Sequence, residues 1–529
     1  MAFENATIAE LQHALIAGRT TPGGLVGASL ARIEAYDRAG PCLNAVREVN
    51  PEAAATAAAL DRVAPSAERP LHGIPIIVKD NIATGDRQRT TAGSLALATA
   101  RGVRDAALVA RLRAAGAVIL GKANLTEFAN ILAIGMPSGY SSLGGQVRNP
   151  YAPALDDNGV PIVSPGGSSS GSAVAVSAGL CAAAIGTETS GSLLSPATQN
   201  GLVTVKPTVG LISRAGILPI AHSQDTAGPL TRSVRDAAIL LNVLAAPDPR
   251  DPATLAQQRP ADYTAGLDAD GLRGARIGVP GDAADPANDV YFGKLAPQAS
   301  AVMGEVVATL EDRGAVIVRA NIPTAGWIDG PGTTMAVLNR NPESKARYQA
   351  GPSSIVLVYE LKADLNAYLR DWLVETPIRS LADIIAFNAA HADRALRFGQ
   401  DMFLVAEATR GDLSEPEYLS ARAMDLKSSR TLGLDAYMDA HRLDAVLFPG
   451  SAGCAIAAKA GYPSVQVPAG FISGAGGRPT PDYPFGATFT GRAWSEATLL
   501  RIAYAYEQAS RARRPPPGLP PLDAPAAAS

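Results

Sequence analysis

Residues 164–192, SPGGSSSGSAVAVSAGLCAAAIGTETSGS, constrain this chain more than any other stretch. Two loops rich in Gly, Ser and Thr enclose a run of small apolar residues from Ala173 to Gly179 and a second apolar piece from Cys181 to Gly186. Period and punctuation predict loop, helix, short buried strand, loop. That order returns both polar loops to the same edge of a sheet. There, glycine lets the backbone approach closely and take positive φ, and free backbone N–H groups can meet a substrate. Two polar loops around so apolar a segment imply a site.

The same helix-then-strand rhythm recurs at 105–121 (DAALVARLRAAGAVILG) and at 301–320 (AVMGEVVATLEDRGAVIVRA). Such alternation predicts an α/β architecture with helices covering a largely buried sheet. Residues 6–60 read as helical, because ATIAELQHALIAG and LVGASLARIEAYDR place apolar residues at three- and four-residue steps. Leu71 to Asn81 changes character: Ile74 to Val78 is a short buried-strand run, and Lys79 stands where it ends. Composition shifts to Pro, Asp and Ala from about 246, residues 325–435 are mainly helical, and strands return at 443–449 and 463–468. The tail from Arg514, RPPPGLPPLDAPAAAS, is Pro/Ala-rich and is expected to be disordered.

With 47% hydrophobic and 18% charged residues, a chain of 529 can bury a large core. A net charge of −3 gives no reason to expect nucleic acid or an acidic membrane as partner. Cys42, Cys181 and Cys454 are far apart and in no metal or redox spacing, which fits a reducing compartment. The start MAFENATIAELQ lacks the basic and apolar regions of a signal peptide. The apolar stretch 173–186 is too short and interrupted to span a bilayer. The expectation is a cytoplasmic protein with no membrane partner. His13, His72, His222, His391 and His441 show no close pairing, so no metal site is expected.

Three chemistries compete for the Gly/Ser loops. A phosphate loop needs a Lys after its last Gly, and none follows GGSSSGS. Gly167 to Gly171 matches the nucleophile-elbow pattern G-x-S-x-G with Ser169 as nucleophile, which would need a His base. The third uses lysine as base, which requires burial to make the amine neutral. Lys79, at the end of an apolar strand, is placed for that. None of the eight lysines has Ser three residues before it, so the S-x-x-K type is excluded.

Taken together, GIPIIVKDN, GKANLTEFA, PGGSSSGSAVAV, GTETSGSLLSPA and GLVTVKPTVGL resemble the amidase signature family. The resemblance runs from the first helices to about residue 514. Within the family the chain is most similar to bacterial peptide amidases, on GSSSGSAVAV, SQDTAGP, RSLADIIAFN and the late AWSE and AYAYEQ.

The resemblance implies a single large α/β amidase-signature domain over 1–514, with a mixed central β-sheet sandwiched between helical layers. It would carry an N-terminal helical part at 1–65 and a mainly helical excursion at 246–435, with a disordered tail at 515–529. It further implies a Ser–cis-Ser–Lys triad, with Lys79 as base, Ser168 as bridging serine after a cis peptide, and Ser192 as nucleophile. Backbone N–H groups of Thr189, Ser190, Gly191 and Ser192 would form the oxyanion hole, and the Ala129 carbonyl would contact the substrate amide. No metal or cofactor is implied. The expected substrate is a small-molecule or short peptide amide, and the expected assembly a monomer or homodimer. The alternatives are a glutamine-amidotransferase component of a larger assembly, an amide-forming acyltransferase with the same triad, and an α/β-hydrolase-like esterase using Ser169. The chain departs from the usual family pattern at Glu188, Ser190 and Leu194, where an arginine is frequent, and Ser170 reads as a helix N-cap.

Overall fold

The computed structural model describes residues 3–285, 287–328, 355–474 and 477–522. Eleven strands form one mixed sheet. In chain order these are β1 Val46–Val49, β2 Pro75–Lys79, β3 Val118–Ala123, β4 Ala183–Glu188, β5 Val203–Lys206, β6 Thr226–Thr231, β7 Arg276–Val279, β8 Val316–Arg319, β9 Ala445–Pro449, β10 Ser464–Ile472 and β11 Tyr483–Thr490. Across the sheet they lie in the order β1-β3-β2-β4-β6-β5-β10-β11-β9-β7-β8.

β2 runs parallel to both β3 and β4, and every residue of these three strands is buried. Their continuous apolar sequences follow from helices covering both faces, which leaves no side for polar alternation. Antiparallel ladders continue from β4 through β6, β5, β10, β11 and β9. β7 and β8 extend the far end in parallel, and β1 closes the near edge antiparallel to β3.

Successive side chains of β2 point to opposite faces. Ile76 and Val78 join Ile119, Ile185 and Val205 in one core. Helices α5 (Val234–Leu244) and α7 (Glu496–Ser510) cover that core with Leu240, Leu241, Leu499 and Leu500. Ile77 joins Leu120 and Ala184 in the opposite core, against Val174 and Val176 of α3 (Ser170–Ser177). A further cluster lies under α6 (Ile355–Asp371), where Tyr359, Leu365 and Leu369 pack with Phe128, Leu132 and Phe403.

The predicted α/β alternation and the single large sheet between helices are what the structure contains. Helix α1 (Ile8–Ile16) starts where the sequence places it, whereas α2 (Pro22–Arg32) begins ahead of the Leu25 at which periodicity starts it and ends before Arg38. α1 opens on a capping box between Thr7 and Glu10, and α2 on a Thr21 cap with Pro22 in its first turn.

Three expectations need correction. The segment 6–60 is not wholly helical, because VREV forms β1 as the sheet's edge; four residues are too few for periodicity to announce. Two strands, β7 and β8, fall within the segment read as a mainly helical excursion at 246–435, so it extends the sheet as well as covering it. The tail is not free over 515–522. Pro516 is buried, and the Pro520 carbonyl accepts hydrogen bonds from Arg32 at 3.1 Å and Tyr36 at 2.7 Å. Residues 523–529 lie outside the described residues.

α3 can reach the sheet because it begins with small residues. A methyl group added at Gly171 would be driven into the backbone of Ala45 and Asn124, and backbone cannot yield as a flexible side chain can. Gly171→Ala is therefore expected to destabilise the fold by about 3 kcal/mol or more, near the top of the range for overpacking. Chemical denaturation against the parent protein checks it.

Candidate active site

β2 and β4 are neighbours and run parallel, so Lys79 at the end of β2 and Glu188 at the end of β4 emerge at the same edge. The loop that leads into α3 crosses this edge and brings Ser168 and Ser169 with it. Tight backbone approach makes that crossing feasible: Gly166 has φ +69° and lies against Pro196, and Gly167 leaves no room for a side chain beside Thr126. The Gly167–Ser168 peptide bond is cis, as the resemblance implies.

Lys79 is wholly buried. Its Nζ donates to Ser168 Oγ at 2.8 Å, Thr187 Oγ1 at 2.9 Å and Ser169 Oγ at 3.0 Å. Burial brings its pKa down to about 7, against the opposing fields of Asp225 and Glu188. Asn81, two residues on, donates from Nδ2 to Thr187 Oγ1 at 3.0 Å. Thr187 thus joins the two strand ends through one hydroxyl.

Ser169 carries the other reading of the loop. Its Oγ is buried, accepts from the Thr187 N–H at 3.2 Å and from Lys79, and donates to the Thr187 carbonyl at 3.0 Å. None of its partners is a histidine, so the geometry lacks the base a nucleophile elbow requires. Ser170 is not the helix cap expected of it. It is the first residue of α3, and its Oγ donates to the Gly166 carbonyl at 2.5 Å.

The second loop is stitched to the first by the Ser169 N–H, which donates to the Ser192 carbonyl at 3.2 Å. Ser192 is 8% exposed. The link from Lys79 to Ser168 is made; among the described residues Ser192 Oγ has no hydrogen bond to Ser168. Glu188 fixes the loop's exit by accepting from the backbone N–H groups of Leu193 at 2.6 Å and Leu194 at 3.0 Å, at the start of α4 (Leu194–Gln199). This carboxylate faces N–H groups that have no partner within the helix at its start, where negative charge is favoured. Thr189 is anchored on the other side by Asp225, whose Oδ1 accepts from Thr189 Oγ1 at 2.6 Å. Asp225 also accepts from the N–H groups of Ile220 at 2.8 Å and Ala221 at 2.9 Å, and burial raises its pKa to about 6. Between these anchors Gly191 has φ +92°. Among the described residues, no acceptor takes up the backbone N–H groups of Ser190, Gly191 or Ser192.

Ala129 lies in a run of left-handed backbone, with φ of 47° at Phe128, 55° at Ala129 and 76° at Asn130. Non-glycine residues seldom adopt this conformation. Ala129 borders a cavity of about 340 Å³ that reaches the loops at Asn81, Thr187 and Thr189. Ser168, Ser192 and Lys79 stand beside this cavity rather than on its wall. Asn81, Thr187 and Asp225 were not foreseen as site residues, although Asn81 follows Lys79 in VKDN and Asp225 stands in SQDTAGP. Nor did histidine spacing foretell that His222 would lie with Glu360 and Asp364, with possible ligand atoms within 4.8 Å of one another. Hydrogen bonds from His222 to Asp364 account for their closeness.

Residues 24–500 match the family model described as Amidase. The chain is 43% identical to the peptide amidase of Stenotrophomonas maltophilia, with a TM-score of 0.83 over 97% of this chain and 98% of that one. A probable amidase of Arabidopsis thaliana is 38% identical over 97% of this chain and 92% of its own length. A glutamyl-tRNA(Gln) amidotransferase component of Halorhodospira halophila is 34% identical over 95% of this chain and 96% of its own. With the family matched along nearly the whole chain, on a fold shared with an amide-cleaving enzyme, the protein belongs to the amidase (amidase signature) family and is an amide hydrolase.

Proposed function

We propose that the chain hydrolyses C-terminal peptide amides, or closely related small amides, through an acyl-enzyme on Ser192, with Ser168 relaying protons to Lys79. The observation that carries this reading is the buried amine of Lys79, held near neutrality and 2.8 Å from Ser168 Oγ. A lysine accepts a proton from a serine only when its own charge is suppressed. The substrate class rests on the likeness to the Stenotrophomonas maltophilia peptide amidase.

Ser192 Oγ attacks the carbonyl carbon, its proton passing to Ser168 as Ser168 gives its own to neutral Lys79. This relay needs Ser192 Oγ within hydrogen-bond reach of Ser168, a contact of the kind that tightens when substrate binds. The developing oxyanion meets the N–H groups of Ser190, Gly191 and Ser192, with Thr189 at the start of the same loop. One such donor is worth about 3–4 kcal/mol in the transition state. The proton returned by Lys79 leaves with ammonia, and water repeats the sequence in reverse to free the acid. The Ala129 carbonyl, on the cavity wall, would orient the amide nitrogen.

Ser192→Ala is expected to abolish turnover of a peptide amide with the fold intact, and Lys79→Ala to do nearly the same. Ser168→Ala is expected to lose less, because water can stand in for the relay. Ammonia release assays check all three, and a fluorophosphonate adduct mapped to Ser169 rather than Ser192 would overturn the assignment.

The pH dependence follows from Lys79. Its folded-state pKa is depressed to about 7, so the amine is protonated and unable to act as base below that value. The kcat/KM of the wild-type protein is expected to rise as pH increases through about 7, then level off. A profile flat from pH 5 to 9, ranges wide of that value, would count against Lys79 as base.

A further inference from the structure

Lys79 has more hydroxyls around it than a proton relay needs, and the surplus carries a direction. A neutral amine offers two N–H donors and one lone pair. Of three surrounding hydroxyls, two therefore accept and one donates. The relay works only if the one that donates is Ser168.

Ser169 is bound to accept. Its Oγ receives the Thr187 N–H at 3.2 Å and gives its own hydrogen to the Thr187 carbonyl at 3.0 Å, so its contact with Lys79 Nζ takes an N–H. Ser168 is the opposite case: its side chain is buried, and among the described residues its Oγ has no partner other than Lys79. The direction of the relay is thus decided at Thr187. With its Oγ1 accepting at 2.9 Å, both N–H groups of the amine are used and the lone pair is left to Ser168. Without that acceptor the second N–H turns to Ser168, and the amine donates where it has to accept. The Thr187 carbonyl, 3.4 Å from Nζ, is a poorer substitute.

Asn81 holds Thr187 Oγ1 in this place. Lys79 and Asn81 stand on either side of Asp80 where β2 ends, and both donate to that one oxygen, Asn81 from Nδ2 at 3.0 Å. Leu218 fixes Asn81 in turn. Its N–H donates to the Asn81 backbone carbonyl at 2.8 Å, and Asn81 Nδ2 reaches the Leu218 carbonyl at 3.4 Å. A carbonyl only accepts, so the amide nitrogen, not its oxygen, faces Leu218 and Thr187. Asn81 Oδ1 is left buried with no donor among the described residues, a cost that an apolar side chain would not carry. The amide is retained there for its N–H.

We propose that Asn81 and Thr187 are positioning residues: Asn81 holds the Thr187 hydroxyl against Lys79, and Thr187 draws off one N–H of the amine so that its lone pair faces Ser168. The inference rests on the Ser192–Ser168–Lys79 reading above and adds to it what sets the direction of proton transfer.

The test measures kcat and KM for ammonia release from a dipeptide amide, or cleavage of an aryl amide if no dipeptide amide is turned over, in Asn81→Ala, Thr187→Val, their combination and Thr187→Ser. Each of the first two is expected to lower kcat about 10- to 100-fold, as misplaced reacting groups do, with KM within about twofold of wild type. The double variant should be no slower than the slower single one, because both changes remove the same contact. Thr187→Ser keeps the hydroxyl and should recover kcat to within about fivefold of wild type. Should Asn81→Ala fail to fold by circular dichroism, Asn81→Leu, closer in volume, takes its place. A raised KM with unchanged kcat in Asn81→Ala would make Asn81 a substrate contact of the cavity it borders, and losses that multiply in the double variant would make the two residues independent. Either result overturns the proposal, as does wild-type kcat in Thr187→Val. Lys79→Ala, run alongside, separates the two readings. If it keeps wild-type turnover, the triad reading fails and this inference with it; if it is inactive while Asn81→Ala and Thr187→Val are unimpaired, only the inference fails.

Discussion

An amine that water cannot reach has to be held by oxygen atoms or give up its charge, and Lys79 does both. Three hydroxyls surround it within 3.0 Å, from Ser168, Ser169 and Thr187. The charged amine donates to all three hydroxyls, whereas the neutral amine keeps two N–H donors and a lone pair to which one of the hydroxyls can donate in return. Burying the charged form in the same place would cost several kcal/mol. The surrounding architecture exists to keep water away: all five residues of β2 are buried, and helices cover both faces of the strands around it.

That burial depends on two loops meeting over one strand end. α3 must approach closely enough for Ser168 and Ser169 to reach Lys79, and Gly171 against Ala45 and Asn124 sets that distance. Ser169 then serves as the rivet. Its hydroxyl binds both backbone groups of Thr187 on β4, and its N–H binds the Ser192 carbonyl beyond the strand. The residue that most resembles a nucleophile by pattern is thus consumed in joining the loops, which leaves Ser192 at the more exposed position.

Much of this was legible in the chain. The loop–helix–strand–loop reading of 164–192 became α3 and β4 with polar loops at one edge, because glycine punctuation and buried apolar runs act locally. Lys79 was marked by its place at the end of an apolar run, and family order added Ser168 and Ser192. What stayed hidden was non-local or too short for periodicity. β1 is four residues at a sheet edge, and β7 enters the sheet from a segment whose composition reads as a surface excursion, whereas β8 is the strand that the helix-then-strand rhythm at 301–320 predicts. The docking of Pro520 against Arg32 and Tyr36 joins residues almost the whole chain apart. Asn81, Thr187 and Asp225 matter through hydrogen bonds that only the folded sheet edge creates.

The acids near Lys79 show how narrowly its state is set. Glu188 and Asp225 both favour the charged amine, yet burial outweighs them. Either carboxylate in direct contact would have formed a buried ion pair and kept the lysine protonated, unable to take a proton from serine. Instead each is engaged elsewhere: Glu188 by the N–H groups of Leu193 and Leu194, Asp225 by Thr189, Ile220 and Ala221. Each carboxylate therefore shapes one end of the Ser192 loop and acts on Lys79 only at a distance. The same two side chains build the loop and place the amine's titration near neutrality, so replacing either one alters both geometry and basicity, and the two effects cannot be tuned separately in this fold.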